Sequence, residues 1–394
     1  MQRLIAWYRD ATQLEEGSHI APLDGVRFLM VFIVASFHIW QQSWLTPALT
    51  LFGQTYSLDF LLRSGYLWVD GMLLLSGFLL YLPYAQSLEK GAPSPAILPF
   101  YRKRLVRIVP SYYLAILVML LFVALPYQMY RGSGDMAKDV LAHLTFTHTL
   151  FPFSYHATPL NGALWTLGVE MHFYLIFPFL ARAFRRQPLL TYAGMAGAAF
   201  LFRGYAASLP DNSMWFNQMP AFLDVYANGF VAAACYTSLR KRMKEDSWTR
   251  ILMTVCAVAA LYILLQYASG QAAENGTAAI RLGQLKRRYG LSVFLSLFML
   301  GVSLGLGGIR LVLGNRVTRI LSEISFQFYI WHQVFAVQLK RWGFPPSQSL
   351  SPHQAGEKPW QYAYVACCYL GALAISVLVT YLFERPITKR LTGK

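Results

Sequence analysis

Apolar windows of about 20 residues recur ten times along this 394-residue chain. Each is long enough to cross roughly 30 Å of hydrocarbon at 1.5 Å per helical residue. They fall near residues 26–45, 66–83, 107–126, 162–181, 188–207, 220–239, 250–268, 289–307, 320–339 and 362–383. Hydrophobic residues make up 56% of the chain and charged residues 13%, about half the charged share of an average soluble domain. The expected fold class is therefore all-α, a polytopic transmembrane helical bundle of about ten spans lying in a lipid bilayer.

The net charge of +16 is explained by topology rather than by nucleic acid, because Lys and Arg sit in short loops between the apolar windows. With the N-terminus inside, 23 of the 34 Lys and Arg fall on the inner side, so both termini are expected in the cytoplasm. Lys286, Arg287 and Arg288 run against this pattern, which leaves the loop 269–288 without a secure placement. Residues 1–22 lack the apolar core of a cleavable signal and carry Trp7, Tyr8, Arg9, Asp10, Glu15 and Glu16, which suits an amphipathic cytoplasmic segment on the membrane surface. One membrane domain is expected over 23–387 and a basic cytoplasmic tail over 388–394.

Within the windows, ionisable residues are few, and such residues are costly in lipid unless they face a partner or a wet cavity. His38, Asp70, Glu170 and His332 each fall roughly 6 to 12 Å below the outer surface by helical rise. Four windows far apart in sequence thus point to one polar layer. A histidine beside a carboxylate is chemically useful, since the carboxylate fixes the tautomer and the imidazole can then accept a proton from a hydroxyl. A buried histidine bonded to a backbone carbonyl is the plainer alternative for His38. Near the inner surface, Arg104 and Arg107 are three residues apart and share a helix face. Paired guanidinium groups there suit a phosphate, and anchoring at the interface competes with that reading. On the order of 20 Å of hydrocarbon would separate them from the His38 layer.

Other features carry less. Cys235, Cys256, Cys367 and Cys368 lie inside apolar windows with no CxxC pair, so neither a disulfide framework nor a thiolate metal site is expected. His143, His148 and His156 are spaced by five and eight, which does not place all three on one helix face, and no metal is expected. Gly301 and Gly305 form a small-xxx-small pair suited to close helix packing.

Six stretches in order resemble the acyltransferase-3 family of integral membrane acyltransferases. LDGVRFLMVFIVASFH resembles the opening helix, with its histidine at His38. VDGMLLLSGFLLY resembles the second-helix motif, with Asp70 and a turn at Ser76, Gly77 and Phe78. RKRLVRIVPSYY is similar to the paired-arginine motif, with Arg104, Arg107 and Pro110. LWTLGVEMHFYLIFP resembles the fourth-helix motif, with Glu170 flanked by Trp165 and Tyr174. ISFQFYIWHQVF carries Tyr329 and His332, and FERPI the closing helix end. Met72, Leu73 and Leu74 stand where the family usually has aromatic residues.

The resemblance implies transfer of an acyl group, acetyl above all, from cytoplasmic acyl-CoA to a hydroxyl of a carbohydrate or glycoconjugate, with no appended hydrolase-like domain. His38, oriented by Glu170 or Asp70, would be general base or transient acyl carrier. Arg104 and Arg107 would hold the CoA phosphates, and Trp165, Tyr174, Tyr329 and His332 would line the substrate site. The implied setting is the bacterial inner membrane, and a homo-oligomer is compatible with it. The rival from another class is a transporter or flippase of a lipid-linked sugar, which the lack of visible internal repeats disfavours.

Overall fold

The protein is described here by a computed structural model covering residues 19–242 and 247–393, so most of the expected amphipathic segment 1–22 lies outside the described residues. Among the described residues ten long helices overlap the ten apolar windows: α1 Pro22–Ser43, α2 Trp68–Glu89, α3 Ile97–Met119, α4 Trp165–Arg186, α5 Pro188–Ser208, α6 Leu223–Arg242, α7 Ser247–Ala272, α8 Thr277–Leu304, α9 Arg316–Arg341 and α10 Lys358–Val379. Their starts follow local chemistry. Pro188 and Pro359 occupy first-turn positions where no backbone donor is needed, and Asp24 complements the positive end of α1.

Length and apolarity sufficient to cross a membrane are found in six described helical stretches, those built on α1, α2, α3, α4, α7 and α10. A seventh is reached if α8 and the short helix Gly307–Leu313, bent by 106°, count as one. The chain is a multi-pass membrane protein. Helices α5, α6 and α9 fall short for a physical reason: they carry the polar groups of the interior. Arg203 on α5, Asp224 and Asn228 on α6, and Gln327, His332 and Gln338 on α9 are all buried.

The chain folds as two compact units interleaved in sequence. Unit 1 takes residues up to Phe32, Leu67–Ala96 and Ile176–Glu323; unit 2 takes Ile33–Tyr66, Ile97–Leu175 and Ile324–Lys394.

In unit 1 the closest packing is between α2 and α6. A Cβ on Gly77 would lie 2.8 Å from the Tyr226 carbonyl oxygen, and one on Gly229 would lie 2.5 Å from that of Leu74. The Ser76-Gly77-Phe78 run is thus no turn. It lies inside α2, and its glycine is there to admit the backbone of α6. Gly301 does the same for α8 on α7, where a Cβ would stand 2.6 Å from the Met253 carbonyl oxygen.

Two ion pairs stand in the polar interior of unit 1. Arg203 donates to both oxygens of Asp224, at 2.7 and 2.6 Å, and to the Ala221 carbonyl. Arg288 Nε donates to Asp70 at 3.1 Å, while its other nitrogens reach the Phe216 carbonyl and Asn217. The Arg288 guanidinium lies 3.9 Å over the Phe222 ring. The basic run Lys286 to Arg288 is therefore part of α8, and the connection between α7 and α8 is only residues 273–276.

In unit 2, α9 and α10 pack through Ile39, Ala336, Leu339, Trp360, Tyr364 and Cys368. Tyr369 donates to Ser36, and Gln361 to the Ser43 carbonyl, which ties α10 to the end of α1. An antiparallel hairpin, β1 Ala48–Leu51 with β2 Gln54–Ser57, follows α1. Its turn residues Phe52 and Gly53 both have positive φ, the geometry that matches strand twist.

Between α3 and α4, residues 133–160 close around the buried Asp139. Its carboxylate accepts from Ser154, Tyr130 and Thr158, with His143 Nδ1 at 3.2 Å. Burial alone would raise this carboxyl, but the contacts from His143, Ser154 and Tyr130 outweigh it and hold it below the ordinary value. The His143 and His148 rings stack at 4.4 Å, and burial followed by the neighbouring His143 charge pushes His148 down to about 3.

Two outcomes are expected. Gly229→Ala should lower unfolding stability by about 1 to 3 kcal/mol, because the added methyl has only backbone to displace; chemical unfolding in detergent measures it. The unfolded chain takes up a proton at His148 near pH 6.5 and the folded one does not. Stability tied to this site is therefore complete above pH 6.5 and lost as pH falls towards 3. Between pH 7 and pH 5 the native protein should lose about 2 kcal/mol relative to His148→Gln.

Candidate active site

Unit 2 brings most of the expected site residues into one run of contacts. At one end is His38, half-buried on the last turns of α1. Its Nδ1 lies 3.0 Å from Gln41 Oε1, one turn on. An amide oxygen only accepts, so Nδ1 carries the hydrogen and the Nε2 lone pair is left for chemistry. Among the described residues no carboxylate touches His38. The orienting partner expected from Glu170 or Asp70 is Gln41.

The neighbour of His38 is His332 on α9, with ring centroids 5.3 Å apart. His332 is fully buried, its Nδ1 is 3.0 Å from the Phe328 carbonyl, and its Nε2 has no protein partner. The same logic makes Nε2 of His332 an acceptor. Two imidazoles thus stand side by side with their donors tied down and their lone pairs unspent.

Tyr329 follows, its ring 5.7 Å from that of His332. Its hydroxyl accepts from Thr166 at 2.8 Å and donates to the Ala163 carbonyl at 3.2 Å. Tyr329 therefore pins the start of α4 to α9, and its own proton is committed. Asn161 reinforces the joint: its amide nitrogen donates to the Ile330 carbonyl at 2.7 Å, and its oxygen caps the turn before α4 through the Ala163 N–H.

Glu170, half-buried on α4, is within electrostatic reach of both Tyr329 and Arg104. The Arg104 guanidinium lies 5.7 Å from the Phe100 ring centre and 5.8 Å from that of Tyr174, with a hydrogen bond to Tyr174. The run Arg104, Glu170, Tyr329, His332 and His38 is linked by electrostatics at its arginine end and by ring packing at its histidine end. Arg107, one turn on, is exposed and near Glu384. Glu384 in turn accepts from Gln327, which also donates to Ser111 on α3. Trp165 opens α4 and is half-buried.

Asp70 is different. It belongs to unit 1, where its buried carboxylate is held by Arg288, so the expected coplanar layer of four groups includes a residue whose charge is already spent. Among the described residues, no group of three or more His, Cys, Asp or Glu is arranged to hold a metal ion.

The acyltransferase domain family matches residues 20–383, which takes in every residue of this run. The chain belongs to the acyltransferase-3 family. It is also similar to a protein of Acidianus two-tailed virus named "Putative acetyltransferase ORF330", with 26% identity over 315 residues, 79% of this chain and 81% of that one. No solved structure matches it.

Several residues that make the hydrogen bonds and ion pairs of this fold were not singled out by the sequence. Gln41 is an ordinary helical glutamine until the fold leaves it as the partner of His38. Asn161 had a readable signal, a capping residue just before an apolar helix. Gln327 and Glu384 sit inside motifs whose other residues drew the attention. Arg203 and Arg288 read in the sequence only as topological markers, and no local signal marked Asp224 as the partner of Arg203.

If Asp70 serves Arg288, then Asp70→Asn should cost about 3 to 5 kcal/mol by stranding a buried guanidinium. The double variant Asp70→Asn with Arg288→Gln should recover much of that loss. Unfolding midpoints of both variants check the expectation.

Proposed function

We propose that this acyltransferase moves an acyl group, acetyl in the first instance, from cytoplasmic acyl-CoA to a hydroxyl of a carbohydrate or glycoconjugate. The observation that supports it is the pair His38 and His332, both with Nδ1 bonded to an acceptor and Nε2 left as a lone pair. His38 Nε2 takes the proton of the acceptor hydroxyl as its oxygen attacks the thioester carbonyl. A C–O bond forms, the C–S bond breaks, and the leaving thiolate recovers the proton from His38. His332 is close enough to share that proton or to hold the acceptor hydroxyl.

Arg104 and Arg107 suit the phosphates of the donor. Arg104 is pre-set between Phe100 and Tyr174 with its Nε buried and unbonded, and Arg107 is exposed to the surroundings. Glu170 holds Arg104 in place and belongs to the site as a positioning residue. Trp165 and Tyr174 offer faces against which an acyl chain or sugar ring can lie. In this reading all ten long helices cross the bilayer, both termini are cytoplasmic, and the membrane is the bacterial inner membrane.

Purified protein in vesicles, given radiolabelled acetyl-CoA and a polysaccharide acceptor, tests the proposal. His38→Ala should cut label transfer by about 10²- to 10⁴-fold. Gln41→Leu should cut it by about tenfold, the worth of one hydrogen bond of roughly 1.4 kcal/mol. Unaltered transfer in His38→Ala would refute the role of His38. Sugar moved across the vesicle without label transfer would point to a carrier instead.

A further inference from the structure

Apart from the site in unit 2, unit 1 holds a cavity of about 420 Å³ lined by Ser94, Arg182, Arg185 and Arg186. Three guanidinium groups and one hydroxyl line it, so every charge at its wall is positive. Arg185 is fixed by the protein itself: it donates to Ser87 at 2.9 Å, to Ser94 at 3.1 Å and to the Ala92 carbonyl at 2.7 Å. Ser94 stands between Pro93 and Pro95, which stiffen the loop that Arg185 holds. Arg182 and Arg186 are one turn apart on α4 and have no bonding partner among the described residues. Like charges at that spacing repel by a few tenths of a kcal/mol unless an anion lies between them.

The end of a membrane helix is an ordinary place for Arg, and the α4 C-terminal dipole welcomes it. Neither effect calls for a cavity. The volume falls in the range of small-molecule sites, about 300 to 1,000 Å³, and exceeds what one inorganic ion needs. A lining whose charges are three guanidinium groups calls for an acceptor-rich, negatively charged guest, and arginine forks fit phosphate oxygens in pairs.

We infer that this cavity binds a phosphate group carried on a larger organic body, with Arg182 and Arg186 gripping the oxygens and Arg185 holding the loop that completes the wall. An anionic phospholipid headgroup and a soluble phosphorylated compound share this chemistry. The inference is independent of the donor role given to Arg104 and Arg107, which belong to unit 2.

The test uses the full chain in detergent micelles. Native mass spectrometry counts dioleoylphosphatidylglycerol adducts against dioleoylphosphatidylcholine, and calorimetry measures pyrophosphate binding. The variants are Arg182→Gln with Arg186→Gln, Arg186→Gln alone, and a charge-matched control, Lys389→Gln with Arg390→Gln, at exposed positions. Arg186 is exposed and unpartnered, so the single variant keeps the fold. A loss of phosphatidylglycerol adducts by tenfold or more in the double cavity variant, a partial loss in the single, and none in the control supports a headgroup site. The same pattern for pyrophosphate, with lipid adducts unchanged, supports a soluble guest. Equal losses in cavity and control variants, or no binding by the native protein, overturn the inference.

Discussion

A charge removed from water must be paired or neutralised, and unit 1 is built on the first of those answers. Asp70, Arg203, Asp224 and Arg288 are all buried, and as two ion pairs they sum to zero. Each ion would cost several kcal/mol alone, so the helices that carry them are held to one arrangement in which every charge meets its opposite. The backbone carbonyls of Phe216 and Ala221 and the amide of Asn217 take up the remaining donors. Close approach of α2 and α6, made possible by Gly77 and Gly229, brings the segments of these pairs within reach.

The two imidazoles of unit 2 use the second answer. His38 and His332 are kept by neutral acceptors, an amide and a carbonyl, and a neutral imidazole needs no buried counter-charge. The choice has a chemical consequence. A carboxylate behind His38 would make it a stronger base and would itself need a partner, whereas Gln41 fixes the tautomer without adding charge. Glu170 of this unit acts on Arg104, where it offsets a guanidinium wedged between aromatic rings. Tyr329 spends its hydroxyl on α4 and the turn before it, which makes it the joint that holds the carboxylate and imidazole helices together.

How far the sequence could be read depended on the kind of signal. The ten helices were legible because each is a long apolar run, and the residues of the run in unit 2 were legible because polar groups are rare in such runs. The depth argument put His38, Asp70, Glu170 and His332 at one level and could not give Asp70 its partner, Arg288. Helical rise measures height along one axis and says nothing about which helices are neighbours. The Ser-Gly-Phe run read as a turn because glycine often marks one; here it marks a close crossing. The hairpin at Ala48–Ser57 left no trace, since its turn begins with Phe52, a residue that seldom adopts positive φ.

From the amino-acid order alone came the all-α membrane class, the positions of the helices, the family likeness and His38 as the residue to explain. Those are properties of single segments, set by how each run of side chains partitions between water and lipid. The pairings came only with the tertiary structure: Arg288 with Asp70 across 218 residues, Gln41 rather than a carboxylate behind His38, and the three-arginine cavity at the end of α4. Pairing depends on which helices touch and on which faces, and that is decided by packing the whole set at once, with every buried charge required to find its opposite.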